Sequence, residues 1–455
     1  MIHKTIRIAV YLLLVHSLPF AYTQPHKSEW MRYSNPVEGG FDNDQLKMVK
    51  EQFSQMNSAS YMVVHSGHVV LSLGDISRRF MCHSMRKSIM SAMYGIYVDK
   101  SKVNLYATLD ELGIDDKRGL TTREKQARIH DLITARSGIY HPAAYEPRGM
   151  KENRPQRGSR RPGEEFFYNN WDFNVLVTIL EQSAQINFFD ATIRDLANPL
   201  GMQDLRREDM SFRYNPESDH PAYLFKMSTR DLARFGQLYL NKGAWRGQQI
   251  ITESWVEKST SAYSSDLPGF KNRGGYGYLW WVDQSTFSEP CYYASGLGGH
   301  RVFIFPRSKL VIVHNVNTYL NQFEREENIN KLVQLTLDAK SKNEAPDPAL
   351  ELLTFEDKTP RKVKLSKRIF AQYQGDYQHP FFGKISVVPH NDNFFIKGNK
   401  LGSFRIFPLS KTEFFIEDVP ELTLIFEPSS EKNAKGTAIT KLSDERIPIS
   451  FNLHY

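Results

Sequence analysis

Strand signals lie at both ends of the first three-quarters of this chain, and a long helix- and loop-rich stretch separates them. Tyr61-Met62-Val63-Val64 and Val69-Val70-Leu71-Ser72 flank His65-Ser66-Gly67-His68, which reads as a hairpin. The next strand signals come only at Tyr278-Leu279-Trp280-Trp281-Val282, Val302-Phe303-Ile304-Phe305 and Leu310-Val311-Ile312-Val313. Between them the patterns are helical: the apolar run after Ser84, Ile129 to Ile133, Asn174 to Glu181, and Thr229 to Leu240, stopped by Gly243. Asp42 caps an earlier amphipathic segment through Phe53, and a last helix is expected over Glu327 to Leu337. A sheet made of such pieces must be assembled from both ends of one domain around a helical insert.

Composition changes after Asp338. Lys340, Lys342, Pro346, Pro348, Pro360, Arg361, Lys362 and Lys364 make a charged, proline-punctuated linker. Short aromatic and β-branched runs follow: Ile385 to Val388, Phe394 to Ile396, Phe414 to Ile416 and Leu422 to Phe426. Their spacing predicts a small all-β barrel or sandwich. The expected organisation is a signal over 1–23, an α+β domain over 24–338, a linker over 339–367 and the barrel over 368–455.

Lys4 and Arg7, the apolar run Ile8 to Val15 and the small-x-small site Ala21-Tyr22-Thr23 read as a cleaved export signal. His16 and Pro19 leave the run too short for the ~20 apolar residues of a membrane span. A secreted or periplasmic protein with no stable membrane span is expected. Formal net charge is +7, near +5 without the signal, too mild to argue for nucleic acid. The basic stretch Arg148, Lys151, Arg154, Arg157, Arg160 and Arg161 carries glycines and prolines but no aromatic residue, as a solvated loop does. Cys82 and Cys291 show no metal-binding spacing; export would allow a disulfide between them, and the alternative is two buried thiols.

Chemistry concentrates in three segments. Ser84-Met85-Arg86-Lys87 opens the apolar pattern Ile89, Met90, Met93, Tyr94, Ile96 and Tyr97, which would bury the helix and dehydrate the lysine. Burial and the positive helix end both disfavour the ammonium, and a lysine that sheds its proton beside a serine activates a nucleophile. Spacing alone does not select it, because the polar stretch Ser429-Ser430-Glu431-Lys432 shares it. Tyr168-Asn169-Asn170 follows the turn Pro162-Gly163 and can supply a phenol for proton transfer and, in Asn170, an amide for holding Lys87 and orienting substrate. Ala294-Ser295-Gly296-Leu297-Gly298-Gly299-His300 precedes a strand, and its glycines allow close backbone approach. A backbone N–H there could complete an oxyanion site with the N–H of Ser84.

In this order the three segments resemble the serine β-lactamase-like hydrolases: class C β-lactamases, D,D-peptidases and family VIII esterases. The 84 residues from Ser84 to Tyr168 fit that group, as do His130-Asp131-Leu132-Ile133, Ser137-Gly138, Pro199-Leu200-Gly201-Met202 and Pro306. The resemblance covers about residues 30–337 and implies a β-lactamase/transpeptidase-like fold, an antiparallel sheet flanked by helices with a helical subdomain. Residues 368–455, opening Tyr373-x-Gly375-x-Tyr377, are similar to the lipocalin-like β domain often fused to these enzymes.

By position, the resemblance makes Ser84 the acylated nucleophile, with Lys87 and Tyr168 sharing acid–base work. Asn170, Gly296, Leu297 and Gly298 would bind substrate, with no metal or cofactor. The implied function is cleavage of small-molecule or peptide-like esters or amides; the alternative is a non-catalytic penicillin-receptor-like binding protein. The chain departs from the group at Ala294, where β-lactamases and D,D-peptidases carry a lysine or histidine that holds a substrate carboxylate. That argues against efficient β-lactam turnover unless His300 or Arg301 substitutes.

Overall fold

The computed structural model describes residues 29–442 apart from 271–273, 342, 356–359, 380–382, 391–392, 399–401 and 428–435. The expected signal over 1–23 lies outside the described residues, as does the Ser429-to-Lys432 stretch.

Strands β1 (Met31–Tyr33), β2 (Ser58–His65) and β3 (His68–Gly74) join strands from the far end of the domain in one nine-stranded sheet. Its order is Leu350–Leu352, β1, β3, β2, Leu310–Val316, Arg301–Phe305, Cys291–Ser295, Trp281–Asp283 and Gly275–Tyr276. The sheet was expected to be antiparallel; it is mixed, because β1 meets β3 in parallel at Arg32 and Val69. The segment read as a linker also lends the edge strand Leu350–Leu352, paired antiparallel with β1.

Leu310–Val316 and Arg301–Phe305 are buried at every residue, the pattern of strands covered on both faces. Tyr61 bonds Thr336 of the helix Glu326–Ala339 at 2.7 Å on one face. On the other, the helix Thr229–Leu240 lies so close that a Cβ on Gly236 would stand 2.5 Å from Val311 Cγ1. Helix α1 (Asn43–Ser54) is capped as expected, Asp42 accepting from Asp44 N and Gln45 N at 2.9 and 3.1 Å.

One expected strand is shorter than its composition suggests. Tyr278-Leu279-Trp280 forms a turn, with Leu279 at φ 63° and Gly277 N donating to Trp280 O at 2.8 Å. Only Trp281–Asp283 pairs as a strand. The aromatic rings that read as β-formers serve the core instead, Trp280 stacking on Phe235 and packing against Tyr239.

The insert holds a three-stranded sheet, β4 (Arg79–Met81), β6 (Ser218–Ser228) and β5 (Met210–Asn215) in that order, and the helices α2 (Arg86–Asp99) and Asn170–Ala184. Cys82 and Cys291 are buried free thiols, so the bridge that export would allow is not formed. The basic stretch is neutralised locally: Arg148 pairs with Glu152, Arg154 with Glu146, Arg157 with Glu124 and Arg160 with Glu165.

Among the described residues the C-terminal part is a curled sheet of seven strands between Gly375 and Leu442, each antiparallel to the next in sequence. Its ends meet in parallel at Tyr377–Gly436 and Gln378–Thr437. Ile385, Val387, Ile396, Phe404, Ile406, Phe414 and Leu424 fill its interior.

Candidate functional site

Ser84 sits in a single tight turn, His83–Met85, that runs straight into α2. One turn on, Lys87 is buried, and its Nζ donates to Ser84 Oγ at 2.9 Å. The amine lies 4.6 Å from the ring centre of Tyr168 and 4.8 Å from that of Phe173. Burial, and then the neighbouring Arg86 guanidinium, drive the Lys87 pKa well below its ordinary value. Arg86 is itself buried between the rings of Tyr145 and Tyr223, 5.5 and 5.0 Å from its guanidinium carbon. A neutral amine on a serine hydroxyl is the arrangement that can accept the hydroxyl proton.

Tyr168 and Asn170 arrive by a different route. Asn169 caps the helix Asn170–Ala184, accepting from Trp171 N at 2.7 Å. Its amide also donates to Asp172 Oδ1 at 2.9 Å, and Ser137 Oγ donates to the same oxygen at 2.5 Å. Burial raises the Asp172 carboxyl well above the carboxylate range. The Ser137-Gly138 phrase thus anchors the end of the segment that presents Tyr168. Gly163 N donates to Arg136 O at 2.7 Å and Phe167 N to Ala135 O at 2.8 Å, which turns the chain back as Pro162-Gly163 suggested. Asn170 Nδ2 donates to Tyr145 O, and its Oδ1 is buried with no hydrogen-bond partner among the described residues. Asn170 does not bond Lys87, contrary to what its type suggested; it faces the pocket with an acceptor to spare.

The third segment closes the opposite wall. Gly296 lies so near the Ser84 turn that a Cβ there would stand 2.6 Å from Cys82 O and 3.3 Å from Met85 Cγ. Leu297 is 45% exposed at the rim. Gly298, at φ 86°, turns the chain behind Leu297, where a Cβ would meet Thr318 Cγ2 at 2.7 Å; it does not line the pocket. His300 is fully buried on Asn315 Oδ1 at 2.8 Å. Arg301 donates to the carbonyls of His300 and Gly296 at 2.9 and 3.2 Å. Neither replaces the cation missing at Ala294, and no lysine or arginine is among the described residues lining the pocket.

The pocket encloses about 610 Å³. Besides Ser84, Tyr168, Asn170, Gly296 and Leu297, its walls include His83, Tyr145, Met150, Phe167, Phe270 and Trp281. Sequence reading named none of these six individually for the site. His83 had one local signal, its position just before the serine. It adopts φ 47° and is held by Tyr145 Oη at 2.8 Å and Thr318 Oγ1 at 2.9 Å. Burial pushes its imidazole well below the usual range. Cys82 is no competitor to Ser84, since burial raises its thiol far above the thiolate range.

Solved structures of low identity share this fold. A penicillin-binding protein homologue from Pyrococcus abyssi, octameric, is 17% identical with a TM-score of 0.50, covering 88% of this chain and 96% of its own. A Bacillus anthracis protein provisionally described as a 6-aminohexanoate-dimer hydrolase is 19% identical with a TM-score of 0.50, covering 64% of this chain and 81% of its own. One from Bacteroides dorei DSM 17855, provisionally described as a beta-lactamase, is 16% identical with a TM-score of 0.51, covering 66% and 100%. No curated protein matches the sequence. Residues 47–336, which carry all three motifs and the whole of the pocket, match the beta-lactamase family, and the chain belongs to it.

Proposed function

We propose that the protein is a serine hydrolase that cleaves ester or amide bonds through an acyl-serine intermediate. One observation carries the reading: the buried Lys87 amine, its pKa driven down, bonded at 2.9 Å to Ser84 Oγ on a pocket wall. In this reading Lys87 takes the hydroxyl proton as Ser84 Oγ attacks the carbonyl carbon. Tyr168, against whose ring the amine rests, shares the relay and returns a proton to the departing alcohol or amine. Water then attacks the acyl ester, gives a proton to the same pair, and Ser84 is regenerated as the acid leaves. The N–H groups of Ser84 and Leu297 stabilise the oxyanion; one such donor is worth ~3 kcal/mol. Gly296 and Gly298 let that backbone close on the site, and the spare Asn170 Oδ1 accepts from a substrate N–H. The reading needs no metal or cofactor.

Among hydrolases of this fold, the absent cation at Ala294 favours substrates whose recognition does not depend on a carboxylate. We also read the chain as exported through residues 1–23, and its C-terminal barrel as lipocalin-like.

Fluorophosphonate labelling tests the assignment. Wild type should be labelled, and Ser84→Ala should lose the label. With p-nitrophenyl esters, nitrocefin and D-amino-acid amides as substrates, Tyr168→Phe should lose 10²–10⁴-fold in rate, the usual share of a general acid–base. Full activity in Tyr168→Phe removes the tyrosine from the relay. An acylation burst without turnover favours the penicillin-receptor-like alternative.

A further inference from the structure

The barrel reaches the segment that leads into Ser84 along two routes, which meet at Lys226, bonded to Asp418 and 5.1 Å from the ring centre of Phe404. The first is ionic. The turn between the barrel strands Glu413–Ile416 and Val419–Glu427 pushes Glu417 and Asp418 against β4, whose last residue is three before Ser84. Asp418 is 2% exposed, and its two oxygens meet Arg79 Nη2 at 3.0 Å and Lys226 Nζ at 2.5 Å. Glu417 reaches the same Arg79 nitrogen at 2.9 Å. Next to it, Arg78 holds Glu421 in a two-pronged contact at 2.6 and 2.9 Å and donates to Asp418 O at 2.7 Å. Burial alone would raise the Asp418 carboxyl, but Lys226 and Arg79 hold it below the carboxylate range.

Within the first domain Arg79 Nε also meets Asp209 Oδ1 at 3.3 Å. Among the described residues β4 is a three-residue edge strand that pairs only with β6, through Arg79–Ser228, Phe80–Met227 and Met81–Lys226. Cys82 N adds one bond to Phe225 O at 2.9 Å.

The second route is apolar. Tyr319 and Leu320 leave the first domain and pack into the barrel's core, Tyr319 edge-on to Phe404 at 5.0 Å. Their neighbour Thr318 holds His83 Nε2, and His83 keeps a left-handed backbone directly before Ser84. A non-glycine residue persists in that region only where its surroundings fix it.

We propose that the barrel is a clamp on the nucleophile, with Asp418 and Phe404 as positioning residues that act on Ser84 through Arg79 and through Thr318–His83. The proposal rests on the reading of Ser84 as nucleophile, and neither residue touches the pocket. Misplacing a reacting atom by about an ångström costs up to ~10²-fold in rate.

The test uses the full chain with Asp418→Asn, Phe404→Leu and the milder Glu421→Gln. Asp418→Asn and Phe404→Leu should each slow fluorophosphonate labelling of Ser84 and lower kcat about ten- to hundredfold, with KM within about twofold. Amide exchange over residues 79–84 should accelerate while the sheet strands keep their protection. Asp418→Glu, which restores the charge, should recover part of the labelling rate. Folded variants that label and exchange like wild type overturn the clamp and leave the barrel a separate module. If Asp418→Asn and Phe404→Leu do not fold, Glu421→Gln decides: wild-type labelling and exchange there count against the clamp, and faster exchange over 79–84 supports it. A wild type that never labels defeats the hydrolase reading instead, and the exchange measurement still judges the clamp.

Discussion

At Lys87 two effects push the same way: burial removes the solvation of an ammonium, and the Arg86 guanidinium beside it repels a second positive charge. The folded chain therefore holds Lys87 neutral over a range of pH in which the unfolded chain protonates it. The unfolded state binds the extra proton there, so this group costs stability at neutral pH, and the cost fades as pH rises towards the free-lysine value of 10.5. Lys87→Met keeps the length and apolar packing and removes that cost. It is expected to gain about 1–2 kcal/mol at pH 7 in denaturant melts, a gain that shrinks as pH approaches 10, while losing activity by at least about 10²-fold. A destabilised Lys87→Met would mean that the amine contributes to the fold rather than to the site. In the active protein, the rising limb of kcat/KM against pH should fall well below 10.5 and vanish with Lys87→Met.

Elements with local punctuation were readable and elements placed by long-range packing were not. The helix Thr229–Leu240 is bounded as expected because its apolar period is unambiguous and Ser228 and Gly243 mark its ends. Ser84, Lys87, Tyr168 and Asn170 could be singled out as candidates for the same reason: each lies within two residues of a helix start, beside a spacing or cap that marks it. Tyr145, Met150, Phe270 and Trp281 carry no such mark, since loops, the short helix Arg148–Glu152 or the short strand Trp281–Asp283 bring them to the pocket. Gly236 shows how packing overrides propensity. Alanine is the better helix former by ~1 kcal/mol, but its methyl would stand 2.5 Å from Val311 Cγ1 and 3.1 Å from Val302 Cγ1, both in central strands. Gly236→Ala is expected to destabilise the chain by about 1–3 kcal/mol in thermal or denaturant unfolding. A neutral or stabilising result would show that the helix can lift off the sheet at little cost.

Across the whole molecule, the two parts meet through buried charge rather than a broad apolar face alone. Asp209 lies at this junction, 3.3 Å from Arg79 Nε and 3.7 Å from Lys226 Nζ. Burial raises its pKa from 3.8 to about 6, against the pull of Lys226 and Arg79 and with a push from Asp418. A carboxyl whose pKa is raised in the fold binds its proton more tightly there than in the unfolded chain. Stability from Asp209 therefore increases as pH falls from about 6 to about 4, by up to about 3 kcal/mol, and is absent above that window. Asp209→Asn removes the titration and keeps the shape. The stability of wild type relative to Asp209→Asn should rise steadily between pH 6 and pH 4, measured by urea unfolding at a series of pH values. A difference that stays flat there would mean that Arg79 and Lys226 keep Asp209 ionised. Asp209 would then be a full member of the ion cluster that joins the barrel to β4.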